Sequence, residues 1–469
     1  MARRVDPAGS ATLAALAALL LLAPPSGRSP DGLEMLALAR EWAGGPPSLS
    51  DPWYWPPLWP LLNLGPVLLG GETAVYVLNL VLAGLVAWPL ARLAARAWPA
   101  APGAASVATA LLWVALPAVR EQAAVLDARP LGWLLFAVAA ERAVADRWGP
   151  ALLAALLAPL ARPEGVVAPV VVAAVALWRN QPRVAALAAL ALIPGMAWTA
   201  HGRAWERFPV AWVGTWRTED LVALYGPASA PTPFRAWVLA SGASAPGGGL
   251  AWPDPLGFGR GLREVLGYGG LALAVGGAAL FRKPAVLALG ALPALLVALS
   301  PQSQGQLVPA SNLIFAALPL VVAGGIALAR LPVLAAPLVL ELGMMAYAAT
   351  PPRFFEGTDV ATAMGQWLRA HRTPGERVAC GYGSRSVARD GGLVPEALPS
   401  VWEEWSPAPG TLVLVSSVDV RGTDGGRALE LLASSGWVPL ATLSDDPTTM
   451  RSDHWMMLLE RTAAAAGSP

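Results

Sequence analysis

Apolar stretches long enough to cross a bilayer, or nearly so, recur from one end of this chain to the other with short polar connections between them. About eleven such segments are read: Ala11–Ala23, Thr73–Ala91, Pro99–Val119, Pro130–Ala145, Ala151–Ala161, Val166–Leu177, Val184–Ala200, Val265–Phe281, Ala285–Leu299, Leu313–Ala329 and Val333–Ala349. Ala151–Ala161 and Val166–Leu177 flank Arg162-Pro163-Glu164-Gly165. Neither reaches the roughly 20 residues of a straight span, so they read as tilted or half-buried helices, or as one broken helix. From Pro351 onward the pattern changes. Helix-like Asp359–His371 and Gly425–Ser434 alternate with strand-like Arg377–Gly381, Thr411–Val420, Trp437–Leu443 and Trp455–Glu460.

The expectation is an α-helical polytopic membrane protein with a small C-terminal α/β extracytoplasmic domain. Residues 1–350 form the multispanning part, with outer loops at 27–72 and 201–262, and residues 351–469 form the outer domain. Composition agrees, since 55% hydrophobic and 13% charged residues are too apolar a mixture for one soluble core. Orientation follows from arginine density. Arg3, Arg4, Arg92, Arg96, Arg142, Arg147, Arg179, Arg183, Arg282, Lys283 and Arg330 fall in very short connections on one side, which marks that side as cytoplasmic. With an odd number of spans, the Asp31 loop, the loop His201–Leu262 and the tail lie on the other face.

Several function classes are set aside. A net charge of +1 and the lack of a basic run interleaved with aromatics give no nucleic-acid footprint. Cys380, the one cysteine, rules out an intramolecular disulfide and a Cys-rich metal site. His201, His371 and His454 are too scattered to suggest a metal triad, so no metal ligand is assigned. No GxxxxGK[ST], HExxH or serine nucleophile elbow occurs.

Four constellations carry possible chemistry. Asp31 follows the first apolar segment, with Glu34, Leu33, Leu36, Ala37 and Arg40 at a spacing suited to a short interfacial helix. A carboxylate there can take a proton from an acceptor hydroxyl, but Asp31 and Glu34 also read as N-cap and N3 of a capping box. Asp51 precedes a proline-aromatic run containing Tyr54 and Trp55, which is either an aromatic interface belt or a surface for sugar rings and a polyprenyl chain. Arg120, Glu121, Asp127 and Arg129 gather in one short outer loop, as a phosphate-binding group with a reactive carboxylate or as ordinary solvated ion pairs. Arg162 and Glu164 lie between apolar segments, where ionisable groups are costly and mark function unless they close a turn as a self-contained pair. Glu341, in the last apolar segment, is a weaker case of the same kind.

The order of these features resembles the GT-C superfamily of membrane glycosyltransferases. The carrying residues are an aspartate loop after the first segment, Pro56-Pro57-Leu58-Trp59-Pro60-Leu61-Leu62 before the second, Ala161-Arg162-Pro163-Glu164-Gly165, and Gln306-Leu307-Val308-Pro309 before a late segment. The branch using polyprenyl-phosphate sugars, mannosyl- and aminoarabinose-transferase-like, is the most similar. The resemblance implies a multi-pass protein of a bacterial inner membrane with an outward-facing site, a polyprenyl-phosphate-linked sugar as donor co-substrate, and inversion at the anomeric carbon. The acceptor would be a hydroxyl of a glycan, lipid or protein. It further implies Asp31 as catalytic base, Asp127 as a second catalytic acidic residue and Arg162 for the donor phosphate; from the residues themselves, Arg129 and Arg120 are further candidates for the donor phosphate, and Glu34, Asp51, Tyr54, Trp55 and Glu164 for substrate contact. The chain departs from the pattern at Gly32 and Met35 beside the first aspartate, and at Gln304 and Gln306 where relatives carry an arginine. A transporter or flippase of a lipid-linked sugar, and a non-catalytic membrane scaffold, remain the alternatives.

Overall fold

The computed structural model describes residues 7–21, 30–45, 56–123, 125–199, 265–267, 269–274, 310–336, 358–380, 382–397, 408–416, 437–444 and 455–462. The expected spans at 285–299 and, mostly, 333–349, the loop His201–Leu262, the helix Gly425–Ser434 and Glu341 lie outside them. The chain divides into two compact units. The first takes Met1–Pro25, Gly45–Ala124 and Ala128–Thr350; the second takes Ser26–Gly44, Val125–Asp127 and Pro351–Pro469. Ser26–Gly44, assigned by pattern to an outer loop of the multispanning part, thus clusters with the tail.

The first unit is helical: α1 (Pro7–Leu21), then α3 (Leu58–Leu62), α4 (Leu64–Leu85), α5 (Ala87–Ala97), α6 (Pro102–Ala115), α7 (Pro117–Ala123), α8 (Arg129–Val144), α9 (Trp148–Ala161), a 3-10 turn (Pro163–Val166), α10 (Val167–Trp178), α11 (Pro182–Leu190), α12 (Ile193–Thr199) and α13 (Ala310–Arg330). Among the described residues one helical run, Leu64–Ala97, is long and apolar enough to cross a membrane, and the other apolar helices have 10–17 residues. The expected segments are therefore helical where described but more broken than a count of about eleven spans implies.

Proline and glycine account for the breaks. Pro117 excludes the helical region for Leu116, which is extended at φ −64°, ψ 132°, so the expected Pro99–Val119 helix ends at Ala115 and restarts as α7. Gly71, at φ 59°, interrupts α4 where a side chain would be strained. Pro159 removes a hydrogen bond inside α9. The α8–α9 and α10–α11 connections turn sharply through Asp146 (φ 56°) and Asn180 (φ 55°), residue types that tolerate the left-handed region.

Packing relies on small residues and edge-on aromatics. A Cβ at Gly325 of α13 would lie 2.6 Å from the Thr109 Cα, so the α6–α13 crossing depends on that glycine. Trp113 meets Trp133 edge-on at 5.8 Å and donates its indole N–H to the Ala83 carbonyl at 2.8 Å. Phe136 and Phe315 form a second edge-on pair at 5.5 Å.

The second unit contains α2 (Pro30–Gly44), α14 (Thr358–His371), β1 (Arg377–Cys380), α15 (Tyr382–Asp390), β2 (Val394–Ala397), β3 (Leu412–Ser416), β4 (Trp437–Ser444) and β5 (Trp455–Arg461). The sheet order is β2-β1-β3-β5-β4. β2, β1 and β3 are parallel, whereas β5 pairs antiparallel with β3 and β4. β3 is buried along its whole length, as a central strand of five apolar or small residues should be. α15 and β2 have no counterpart in the pattern analysis. α15 is polar on most positions, with Ser384, Val387 and Ala388 buried among its described side chains, and four-residue β2 has a proline and a glutamate.

Candidate functional site

Arg162 owes its position to its neighbours in sequence. It ends α9 and precedes Pro163, which pushes it to extended backbone (φ −151°, ψ 148°). Gly165 closes the turn, because a Cβ there would run into the Ala158 carbonyl. The Arg162 stem lies over Gly132 of α8, where an added Cβ would sit 3.8 Å from the Arg162 Cδ. Its guanidinium is gripped by Glu164 through two hydrogen bonds, Nε to Oε2 and Nη2 to Oε1, both 2.9 Å. The pair is largely desolvated, with side-chain exposures of 8% for Arg162 and 21% for Glu164.

Burial pushes the Glu164 carboxyl up, but the Arg162 charge and hydrogen bonds, with the charge of Arg129, more than offset this and hold it below the usual carboxylate range. The first unit therefore brings together Arg162, Glu164 and Arg129, two positive charges around one negative. The Nε–Nη2 edge of Arg162 is filled by Glu164.

Arg120 and Gln122 stand on α7, which packs against the α8 that Arg129 opens. The Arg120 Nε and both polar atoms of the Gln122 amide are buried and make no hydrogen bond among the described residues. Gln122 was not a candidate on sequence grounds, since a glutamine after Glu121 reads as a solvated helix face. Its complete burial shows only once α7 is packed.

In the second unit, α2 begins at Pro30, so Asp31 lies in the first turn and not at the cap, and Glu34 follows one turn on. This displaces the capping-box alternative by a residue: proline already fits the first helical position, and Asp31 lies within reach of the helix N-terminal dipole. α2 packs on α15, and its Met35, Leu36 and Ala39 are buried. Arg40 bonds the Asp390 carboxylate at 3.1 Å, while Arg369 takes its other oxygen at 3.0 Å. Asp127 is fully buried in a tight turn whose N–H reaches the Val125 carbonyl at 2.9 Å. Asp51, Tyr54 and Trp55, and also Gln304 and Gln306, lie outside the described residues. Among the described residues no group of three or more His, Cys, Asp or Glu gathers as a metal site.

No family model matches this chain, and no curated protein is similar to it. Among solved structures, the crystal structure of ArnT from Cupriavidus metallidurans bound to undecaprenyl phosphate is similar at 15% identity over 98% of each chain, with a TM-score of 0.39.

Proposed function

We propose that this chain is a membrane glycosyltransferase that moves a sugar from a polyprenyl-phosphate donor to an acceptor hydroxyl on the extracytoplasmic face. Arg162 and Glu164 pair across the turn, as the structural alternative requires, so the observation that carries the reading is the charge of Arg129 beside that desolvated pair, which makes the group net positive at the end of otherwise apolar helices. A lipid-phosphate sugar is already activated. Its transfer needs a base for the acceptor and positive charge for the departing phosphate, with no nucleotide pocket. The motif order from Asp31 to Pro309 supports the same class.

In this reading the Asp31 carboxylate takes the acceptor proton as the acceptor oxygen forms its bond to the anomeric carbon from the face opposite the phosphate. The bond from that carbon to the phosphate oxygen breaks with inversion, and the polyprenyl phosphate leaves with one more negative charge. Arg162, Arg129 and Arg120 meet that charge. Glu164 orients Arg162 through its two hydrogen bonds.

The test is release of free polyprenyl phosphate from labelled polyprenyl-phosphate sugars by the purified full chain, with both substrates on one side of a detergent micelle. Asp31→Asn should lower the rate at least about a hundredfold, the usual worth of a general base, with normal expression and membrane insertion. Full activity in that variant would overturn the role of Asp31. Passage of intact donor across vesicles with no release of polyprenyl phosphate would replace the transferase by a transporter.

A further inference from the structure

The other end of the first unit carries a basic cluster that the proposed reaction does not use. Glu141, near the end of α8, is fully buried and surrounded by three arginines. Arg92 Nε reaches its Oε1 at 3.0 Å, Arg142 Nε its Oε2 at 3.2 Å, and Arg96 Nη1 also bonds Oε1. Arg92 and Arg142 stack on the Trp88 ring, at 5.0 and 4.8 Å from its centre. One carboxylate cannot neutralise three guanidiniums, so the cluster keeps two positive charges.

These arginines remain accessible, with side-chain exposures of 23% for Arg92, 34% for Arg96 and 13% for Arg142. Each spends one nitrogen on Glu141, and no other side chain among the described residues bonds the rest. A clamp between two helices needs only one arginine on the carboxylate. The surplus charge, fixed by a buried anion and an aromatic plane, is what an incoming phosphate diester would meet.

The surroundings name the source of that phosphate. At the ends of neighbouring helices Arg179 stacks on Trp178 at 5.0 Å while pairing with Asp146 at 3.6 Å, and Arg330 stacks on Trp98 at 5.5 Å, an aromatic rim carrying arginines of the kind found at headgroup level. The cluster lies about 18 Å along the α8 axis from Arg129, twelve residues of helix, and so is separate from the proposed donor site. We infer that Arg92, Arg96 and Arg142, held by Glu141 and Trp88, form a binding site for the phosphate of an anionic phospholipid in the leaflet facing this end. This rests on the reading of the first unit as membrane-embedded, though not on its catalysis.

The experiment uses the full chain, delipidated in detergent, with phosphatidylglycerol or phosphatidylcholine added and retention measured by native mass spectrometry. Phosphatidylglycerol should be retained at least fivefold better and lose that advantage in high salt. Arg92→Gln and Arg142→Gln should each weaken retention about fivefold, whereas Arg183→Gln, at the same end on α11, should leave it unchanged. An equal loss in Arg183→Gln would show diffuse charge and overturn the site, as would protection by inorganic phosphate in place of lipid. If the cluster variants fail to fold, the wild-type lipid ratio decides, and equal retention of both lipids overturns the inference. Extraction of the chain from membranes by alkaline carbonate would instead remove the membrane reading itself, and this inference with it.

Discussion

Glu164 shows how one residue links folding and function. Its carboxylate both stabilises a desolvated Arg162 and denies one edge of that arginine to a ligand. Glu164→Gln removes the carboxylate that pairs with a buried guanidinium and should cost about 3 kcal/mol in a denaturant melt, whereas Arg162→Met combined with Glu164→Met should recover most of that. The recovered double variant should still fail to release polyprenyl phosphate, which separates a binding role from a structural one. Because the folded-state carboxyl sits below its ordinary value, the pair's stability is present above about pH 4.3 and is lost as the pH falls through the lower folded value. Comparing acid denaturation of the wild type with Glu164→Gln should show a shallower acid limb in the variant.

Among elements, α2 and the turn at Pro163–Val166 set the geometry. α2 carries Asp31 and is held within the second unit mainly by apolar contact. Leu36→Ala should cost about 2–5 kcal/mol, while Arg40→Ala, whose side chain is 40% exposed, should cost under about 1 kcal/mol. A melt of the two variants checks the ranking, and equal effects would mean that the ion pair anchors the helix. At the turn, Gly165→Ala forces a methyl against the Ala158 carbonyl and should destabilise by about 1–3 kcal/mol. It should also impair donor binding by moving Arg162 off Gly132, read as a raised KM with the melt recorded in parallel.

At the scale of the whole molecule, the sidedness of the second unit is directly testable. Cys380 is buried at 3% exposure in β1, so the native chain should not react with a membrane-impermeant maleimide. Glu396→Cys, on exposed β2 surface, should be labelled from outside intact cells if the tail is extracytoplasmic, and only after lysis if it is cytoplasmic.

What the sequence determined by itself is local. Apolar runs marked the helices of the first unit, alternation marked β1, β3, β4 and β5 within a residue or so at most ends, and Arg162-Pro163-Glu164-Gly165 announced a charged break between apolar helices. These follow from periodicity and from the backbone limits of proline and glycine, which act over a few residues. Only tertiary structure decided the rest. It grouped α2 with the tail, buried Gln122, paired Arg162 with Glu164 and collected Arg92, Arg96 and Arg142 around Glu141. Each of those depends on side chains far apart in the chain, whose burial and pairing no local pattern records.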